Sequence, residues 1–229
     1  PTRRSSDLYT HPEPQAIADE LARLGIREGR EVVVYDATGT LFAARLWYLL
    51  RWIGVPVRVL DGGFAAWKTA GERTESGEGR APEPVPAWQA SAVRTAWVSR
   101  SELVERSADD PRPLVCGLPA GAFTGADPTR YSRRGRIPGS VNVSSRDLFT
   151  GDGHVKTRVE LVLAYDAAGI DVSEDSEEVL LYCGGGISAS ANALTLAAIG
   201  KKAVRIYDGS LEEWSADPSL PLEVGEPTS

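Results

Sequence analysis

The feature that most constrains the fold of this chain is an order of elements that occurs twice. An apolar strand ending at Asp36 is followed by a helix, a second strand ending at Asp61 and a short helix. The same order returns from Cys183 to Asp208, and 25 residues separate the two strand ends in each copy. A repeated strand–helix–strand–helix unit predicts an α/β fold with parallel sheets flanked by helices. Ligands of such sheets bind at the carboxyl ends of the strands.

Proline and glycine mark the boundary between the two copies. Segment 72–96 is rich in both residues and is typical of an interdomain linker. We therefore predict a first, incomplete domain over 9–71 and a second, complete domain over 97–229. Residues 1–8 resemble a translated sequencing adapter and are left out of the fold prediction. Since the chain contains no methionine, we expect a fragment that lacks its natural start.

Composition excludes several classes of function. The chain carries a net charge of -7, and no basic tract is interleaved with aromatic residues, so nucleic acid is not an expected partner. No apolar run is long enough to cross a bilayer. His11 and His154 have no metal-ligand spacing, and the two cysteines are too few for a disulfide framework. These features favour a protein of a reducing compartment, the cytoplasm, that binds small molecules.

Cys183 is the candidate nucleophile. It ends an apolar strand, and a helix begins a few residues later, so unpaired backbone N–H groups and the helix dipole converge near its sulfur. This setting stabilises a thiolate, a persulfide or a bound oxyanion. Ser188 is expected to cap the helix and to donate its hydroxyl to the sulfur. The predicted anion-binding loop comprises Gly184, Gly185, Gly186, Ile187 and Ser188.

Three segments of the second domain carry a family resemblance. They are RRGRIPGSVNV (133–143), YCGGGISA (182–189) and YDGSLEEW (207–214). Together they resemble the tandem-rhodanese sulfurtransferases, in particular the thiosulfate and 3-mercaptopyruvate branch. The first copy is similar to the non-catalytic domain of that family, with Asp36 in the place of the cysteine. With an arginine- and alanine-rich composition, the chain resembles bacterial members.

The resemblance implies a two-step sulfur transfer. Cys183 would take a sulfur from the donor as a persulfide and pass it to cyanide or a thiol, with no metal or organic cofactor. The resemblance matches Arg130 to a donor-binding arginine of the family, with Arg133 as the alternative. The sequence leaves the oligomeric state and the choice of donor open.

The chain departs from the family pattern at four places. Cys116-Gly117-Leu118 stands where the family usually has Asp-Ala-Arg, and Ala122 replaces an arginine that grips the donor. Arg136 replaces the histidine of the Ile-Pro-Gly turn, and Gly185 replaces a serine of the mercaptopyruvate branch. These departures keep a second hypothesis open, a rhodanese-like module that binds a partner with weak or no catalysis.

Two other classes fit the Cys183 loop less well. Gly184-x-Gly186-x-x-Ala189 matches a dinucleotide-binding fingerprint, but it lies too near the end of the chain for such a domain. A cysteine phosphatase would need an arginine six residues after the nucleophile, where this chain has Ala189.

Overall fold

The computed structural model describes residues 10–93 and 95–226. The chain divides into two compact units, a first unit of residues 11–93 with 151–154 and a second unit of residues 95–150 with 155–226. The predicted adapter segment, residues 1–8, lies outside the described residues.

The first unit contains a two-stranded parallel sheet, in which Val32 of one strand pairs with Val57 of the other. Its core is formed by the buried faces of the two longer helices, including Leu21 and Leu50. The described residues of this unit contain two strands. Its elements are α1 (Pro14–Arg23), β1 (Val32–Val34), α2 (Leu41–Trp52), β2 (Val57–Val59) and α3 (Gly63–Thr69).

The predicted linker has neither helix nor strand up to residue 93, yet it packs on the first unit. The amide of Val85 donates to the carbonyl of Ala22, and the amide of Val93 donates to the carbonyl of Trp52. This segment therefore belongs to the first unit by its contacts.

The second unit contains a five-stranded parallel sheet. The strands are β3 (Trp97–Val98), β4 (Leu114–Cys116), β5 (Ser140–Asn142), β6 (Val179–Tyr182) and β7 (Val204–Tyr207). Their order in the sheet is β3-β7-β6-β4-β5. Every residue of the central strand β6 is fully buried, which explains its uninterrupted apolar sequence. The predicted α/β class, with parallel sheets flanked by helices in both units, is confirmed.

Two of the helices that flank this sheet begin at side-chain caps. Ser99 accepts a hydrogen bond from the amide of Glu102, and Thr157 forms a capping box with Glu160. The helices are α4 (Arg100–Val104), α5 (Ala120–Thr124), α6 (Arg158–Asp166), α7 (Ile187–Ala198) and α8 (Ser210–Trp214), with a 3-10 turn at Ser145–Leu148.

No helix of the described residues combines the length and apolar character needed to span a bilayer. Within the same residues, no group of three histidine, cysteine or acidic side chains is arranged to hold a metal ion.

Candidate active site

Cys183 follows directly after β6 at the carboxyl edge of the five-stranded sheet, and only 2% of its surface is exposed. Its amide donates to Ser210 Oγ at 3.1 Å, and its carbonyl accepts from the amide of Leu211 at 3.1 Å. The next carbonyl, of Gly184, accepts from the amide of Glu212 at 2.9 Å. The start of α8 thus holds the cysteine and the loop in place through three hydrogen bonds.

The glycines after Cys183 form the turn that leads into α7. Gly184, Gly185 and Gly186 are buried, and Gly186 adopts a positive φ of 78° as the residue before the helix. A side chain there would be strained, because L residues rarely adopt this conformation. The turn brings the amino terminus of a twelve-residue helix beside the nucleophile, so its unpaired N–H groups favour negative charge there.

The capping role predicted for Ser188 is wrong. The cap position is Gly186, which has no side chain, and Ser188 is already the second residue of α7. The helix therefore begins at Ile187, one residue before Ser188. Ser188 remains in the loop that surrounds Cys183, together with Ile187, and both are half-buried.

Tyr131 covers the loop, a contact that sequence reasoning missed. A Cβ added to Gly184 would overlap the Tyr131 hydroxyl oxygen and lie 2.7 Å from the ring carbon that bears it. Burial, together with negative charge at Cys183, raises the pKa of Tyr131 to about 12. The hydroxyl therefore keeps its proton at neutral pH and can donate it.

Arg130 lies at this site, whereas Arg133 lies elsewhere. Arg130 Nε is 3.5 Å from Glu212 Oε2, and its guanidinium carbon lies 5.5 Å from the centre of the Tyr131 ring. The guanidinium of Arg133 instead donates to four backbone carbonyls of the C-terminal segment, those of Trp214, Ser215, Asp217 and Leu220. This placement supports a structural role for Arg133 and not the predicted donor-binding role.

Two departures from the family pattern have structural explanations. A Cβ at Gly117 would overlap Asn192 Oδ1 and lie 3.3 Å from the amide of Ala189, so α7 approaches this turn too closely for a side chain. Arg136 stacks over Phe123 at 4.9 Å and pairs with Glu223 at 3.2 Å, which anchors the C-terminal segment. Neither position contributes a side chain that could bind a sulfur donor.

Cys116 is also a free cysteine, and it is fully buried at the end of β4. Burial raises the pKa of its thiol to about 12. Full burial and a protonated thiol both disfavour a reaction at Cys116, because the thiolate is the nucleophilic form.

In the first unit, Asp36 occupies the position that matches Cys183. The amides of Thr38 and Thr40 donate to one carboxylate oxygen, and those of Phe42 and Ala43 donate to the other, all at 2.9 or 3.0 Å. Partial burial alone would raise the pKa of Asp36, but these four hydrogen bonds lower it below its usual value. A carboxylate therefore fills the anion cradle of the first unit.

A nearly buried cysteine at a strand end, beside the start of a helix in a parallel α/β unit, defines a class of enzymes that carry a group on a thiolate. The sequence model of one protein family, the Rhodanese-like domain, matches residues 3–70 and 126–217. The chain belongs to the rhodanese family.

Curated relatives extend this result over most of the chain. The 3-mercaptopyruvate sulfurtransferase of Escherichia coli (strain K12) is 30% identical over 93% of this chain and 74% of that protein. The thiosulfate sulfurtransferase of Gallus gallus is 31% identical over 89% of this chain and 70% of that protein. The chain is accordingly a sulfurtransferase-like enzyme of the rhodanese family, with a sulfur donor and a sulfur acceptor as its substrates. This membership supports neither the dinucleotide nor the phosphatase hypothesis.

Solved structures share the fold. The complex of EanB Y353A with ergothioneine has a TM-score of 0.86 and 24% identity, and YnjE has a TM-score of 0.85 and 26% identity. The match covers 98% and 96% of this chain. The chain spans 58% and 55% of the length of those two proteins.

Proposed function

We propose that this protein moves a sulfur atom from thiosulfate or 3-mercaptopyruvate to cyanide or a thiol through a persulfide on Cys183. The observation that carries the proposal is the position of Cys183, which lies between the end of β6 and the amino terminus of α7 with three buried glycines in between. The names of the relatives in Escherichia coli and Gallus gallus support both donors.

In the first step, the Cys183 thiolate attacks the transferable sulfur of the donor. With thiosulfate the S–S bond breaks and sulfite leaves with the electron pair, while the outer sulfur of the new persulfide carries a negative charge. The N–H groups of Gly184 to Ser188 and the α7 dipole stabilise that charge. Because only 2% of the Cys183 surface is exposed, this stabilisation is stronger than in solution.

In the second step, the acceptor attacks the outer sulfur. Cyanide takes this sulfur and becomes thiocyanate, and a thiolate takes it and becomes a persulfide. In both cases the electron pair of the S–S bond returns to Cys183, which becomes a thiolate again. Cellular thiols and a free reactive cysteine fit a reducing compartment, so we place the protein in the cytoplasm.

Arg130 is the candidate for binding the anionic end of the donor. It is the arginine beside the loop, and 55% of its side chain is exposed, so it is accessible to a donor. Its neighbour Glu212 is negatively charged, which opposes the dianion thiosulfate more strongly than the monoanion 3-mercaptopyruvate. We therefore propose 3-mercaptopyruvate as the preferred donor.

The test is intact-mass spectrometry of the full chain after incubation with each donor, before and after cyanide. We expect one added sulfur atom that cyanide removes, present in the Cys116→Ser control and absent from Cys183→Ser. No added sulfur in folded wild-type protein with either donor would contradict the proposal and favour the partner-binding module.

A further inference from the structure

The Tyr131 hydroxyl is held against the loop of the nucleophile without a protein partner. Its oxygen lies over Gly184, the residue next to Cys183, so closely that a Cβ at that position would overlap it. The hydroxyl makes no hydrogen bond to the parts of the chain that the structure describes, and the backbone amide of Tyr131 donates to Thr129 Oγ1. A phenol in this position is free to donate to a bound ligand.

Four titratable or charged groups interact electrostatically with this phenol. They are the thiols of Cys183 and Cys116, the guanidinium of Arg130 and the carboxylate of Glu212. Among them, Cys183 is the nucleophile and Cys116 is fully buried with a raised pKa. Arg130 does not give up its proton at physiological pH, and a Glu212 carboxylate has none to give. Tyr131 is therefore the neutral group of this set that can supply a proton to a substrate.

We propose that Tyr131 is a catalytic acid that gives a proton to the carbon leaving group of a donor whose sulfur is bound to carbon. The inference rests on the proposed sulfurtransferase function and assigns a group to the proton transfer that 3-mercaptopyruvate requires. It also fits the absence of the family's serine at Gly185, because the Tyr131 hydroxyl lies against the same loop.

The step balances as follows for 3-mercaptopyruvate. The Cys183 thiolate attacks the donor sulfur, the C–S bond breaks, and its electron pair passes to carbon as the enolate of pyruvate. Tyr131 donates its proton to that carbon, and pyruvate is released. The Tyr131 phenolate then takes the proton that was on the transferred sulfur, which leaves the anionic persulfide and a neutral phenol.

Thiosulfate requires no such proton, because its leaving group, sulfite, is stable as an anion. The same is true of methanethiosulfonate, whose leaving group is a sulfinate and which carries only one negative charge. Tyr131 is thus expected to matter for a carbon–sulfur donor and to be dispensable for two sulfur–sulfur donors. This difference separates an acid from a residue that only shapes the loop.

The experiment compares Tyr131→Phe with wild type in single-turnover reactions of the full chain with all three donors. Persulfide is measured by intact mass, and pyruvate release is measured in parallel. We expect the rate with 3-mercaptopyruvate to fall about 100-fold, in the range of general acid catalysis, and the rates with the other donors to change less than about threefold. Tyr35→Phe, an exposed tyrosine of the first unit, is the matched control and should leave all rates unchanged.

The outcomes distinguish the two proposals. If wild type gains no sulfur from any donor, the sulfurtransferase function fails and the acid role fails with it. If wild type reacts and Tyr131→Phe loses rate equally with all donors, or keeps its full rate with 3-mercaptopyruvate, the acid role is overturned while the function stands.

Discussion

The amide of Cys183 donates a hydrogen bond to Ser210 Oγ, and the Ser210 hydroxyl in turn donates a hydrogen bond to the carbonyl of Tyr207. Ser210 is fully buried and adopts a positive φ of 48°, an uncommon conformation for a residue with a side chain. One hydroxyl therefore connects the nucleophile to the end of β7 and to the first turn of α8. The strained backbone is held in place by these contacts at the candidate active site.

Ser210→Ala tests this connection. The substitution leaves the buried amide of Cys183 without a partner, which costs about 1–3 kcal/mol of unfolding free energy. We expect a lower urea midpoint and a slower gain of sulfur by Cys183, because its loop is less well held. Ser76→Ala, at an exposed position, is the control. Unchanged stability and unchanged sulfur gain would show that the Ser210 hydroxyl is not needed.

Gly184→Ala tests the close approach of Tyr131 to the loop. The added methyl group would displace the phenol ring, so we expect lower stability and lower activity than wild type. Tyr131→Ala removes the obstacle, and the double variant should recover part of the stability lost by Gly184→Ala. Contacting residues give coupling energies of about 0.5–3 kcal/mol in a double-mutant cycle of urea unfolding. Strict additivity would contradict the contact.

Asp36→Asn tests the cradle of the first unit. An amide cannot accept from all four N–H groups, because its NH2 is itself a donor. We expect a loss of about 2 kcal/mol at neutral pH, less where solvent screens the partly exposed group. Since the folded-state pKa of Asp36 is lowered, its stabilisation is present above the usual value of 3.8 and is lost as the pH falls through the folded-state pKa.

Urea unfolding of wild type and Asp36→Asn at a series of pH values measures how the stabilisation by Asp36 depends on pH. The difference between the two proteins should be constant near neutrality and should shrink below pH 3.8. Asp175→Asn, an exposed position in the second unit, is the matched control. A difference that does not depend on pH would show that the charge of Asp36 is not what stabilises the cradle.

Local patterns predicted the parts of this structure that depend on neighbouring residues. The strand before Cys183 and the glycine turn have signals within a few positions of the chain, and both are present. The repeat predicted that Asp36 corresponds to Cys183, because the spacing to the next strand end is the same in both copies. The cradle around Asp36 is also local, because its four amide donors lie within seven residues of Asp36.

The sequence could not predict contacts that join distant parts of the chain. Tyr131 and Gly184 are far apart in sequence, and nothing local distinguishes Tyr131 from an ordinary loop tyrosine. Arg133 resembles a donor-binding residue until its four carbonyl partners in the C-terminal segment are known. The capping prediction for Ser188 was wrong because glycine at 186 adopts the conformation that lets α7 start earlier.

The ion pair of Arg130 and Glu212 predicts how charge sets the choice of donor. Glu212→Gln removes a negative charge beside the site and frees Arg130, so thiosulfate should gain more than 3-mercaptopyruvate, which has one charge fewer. Because Arg130 is largely exposed, we expect only about a threefold rise in kcat/KM for thiosulfate, reduced further by added salt.

Arg130→Gln should lower kcat/KM for both donors. Exposed Glu174→Gln serves as the control for charge alone. If Glu212→Gln changed both donors by the same factor, charge at this position would not govern the choice between them.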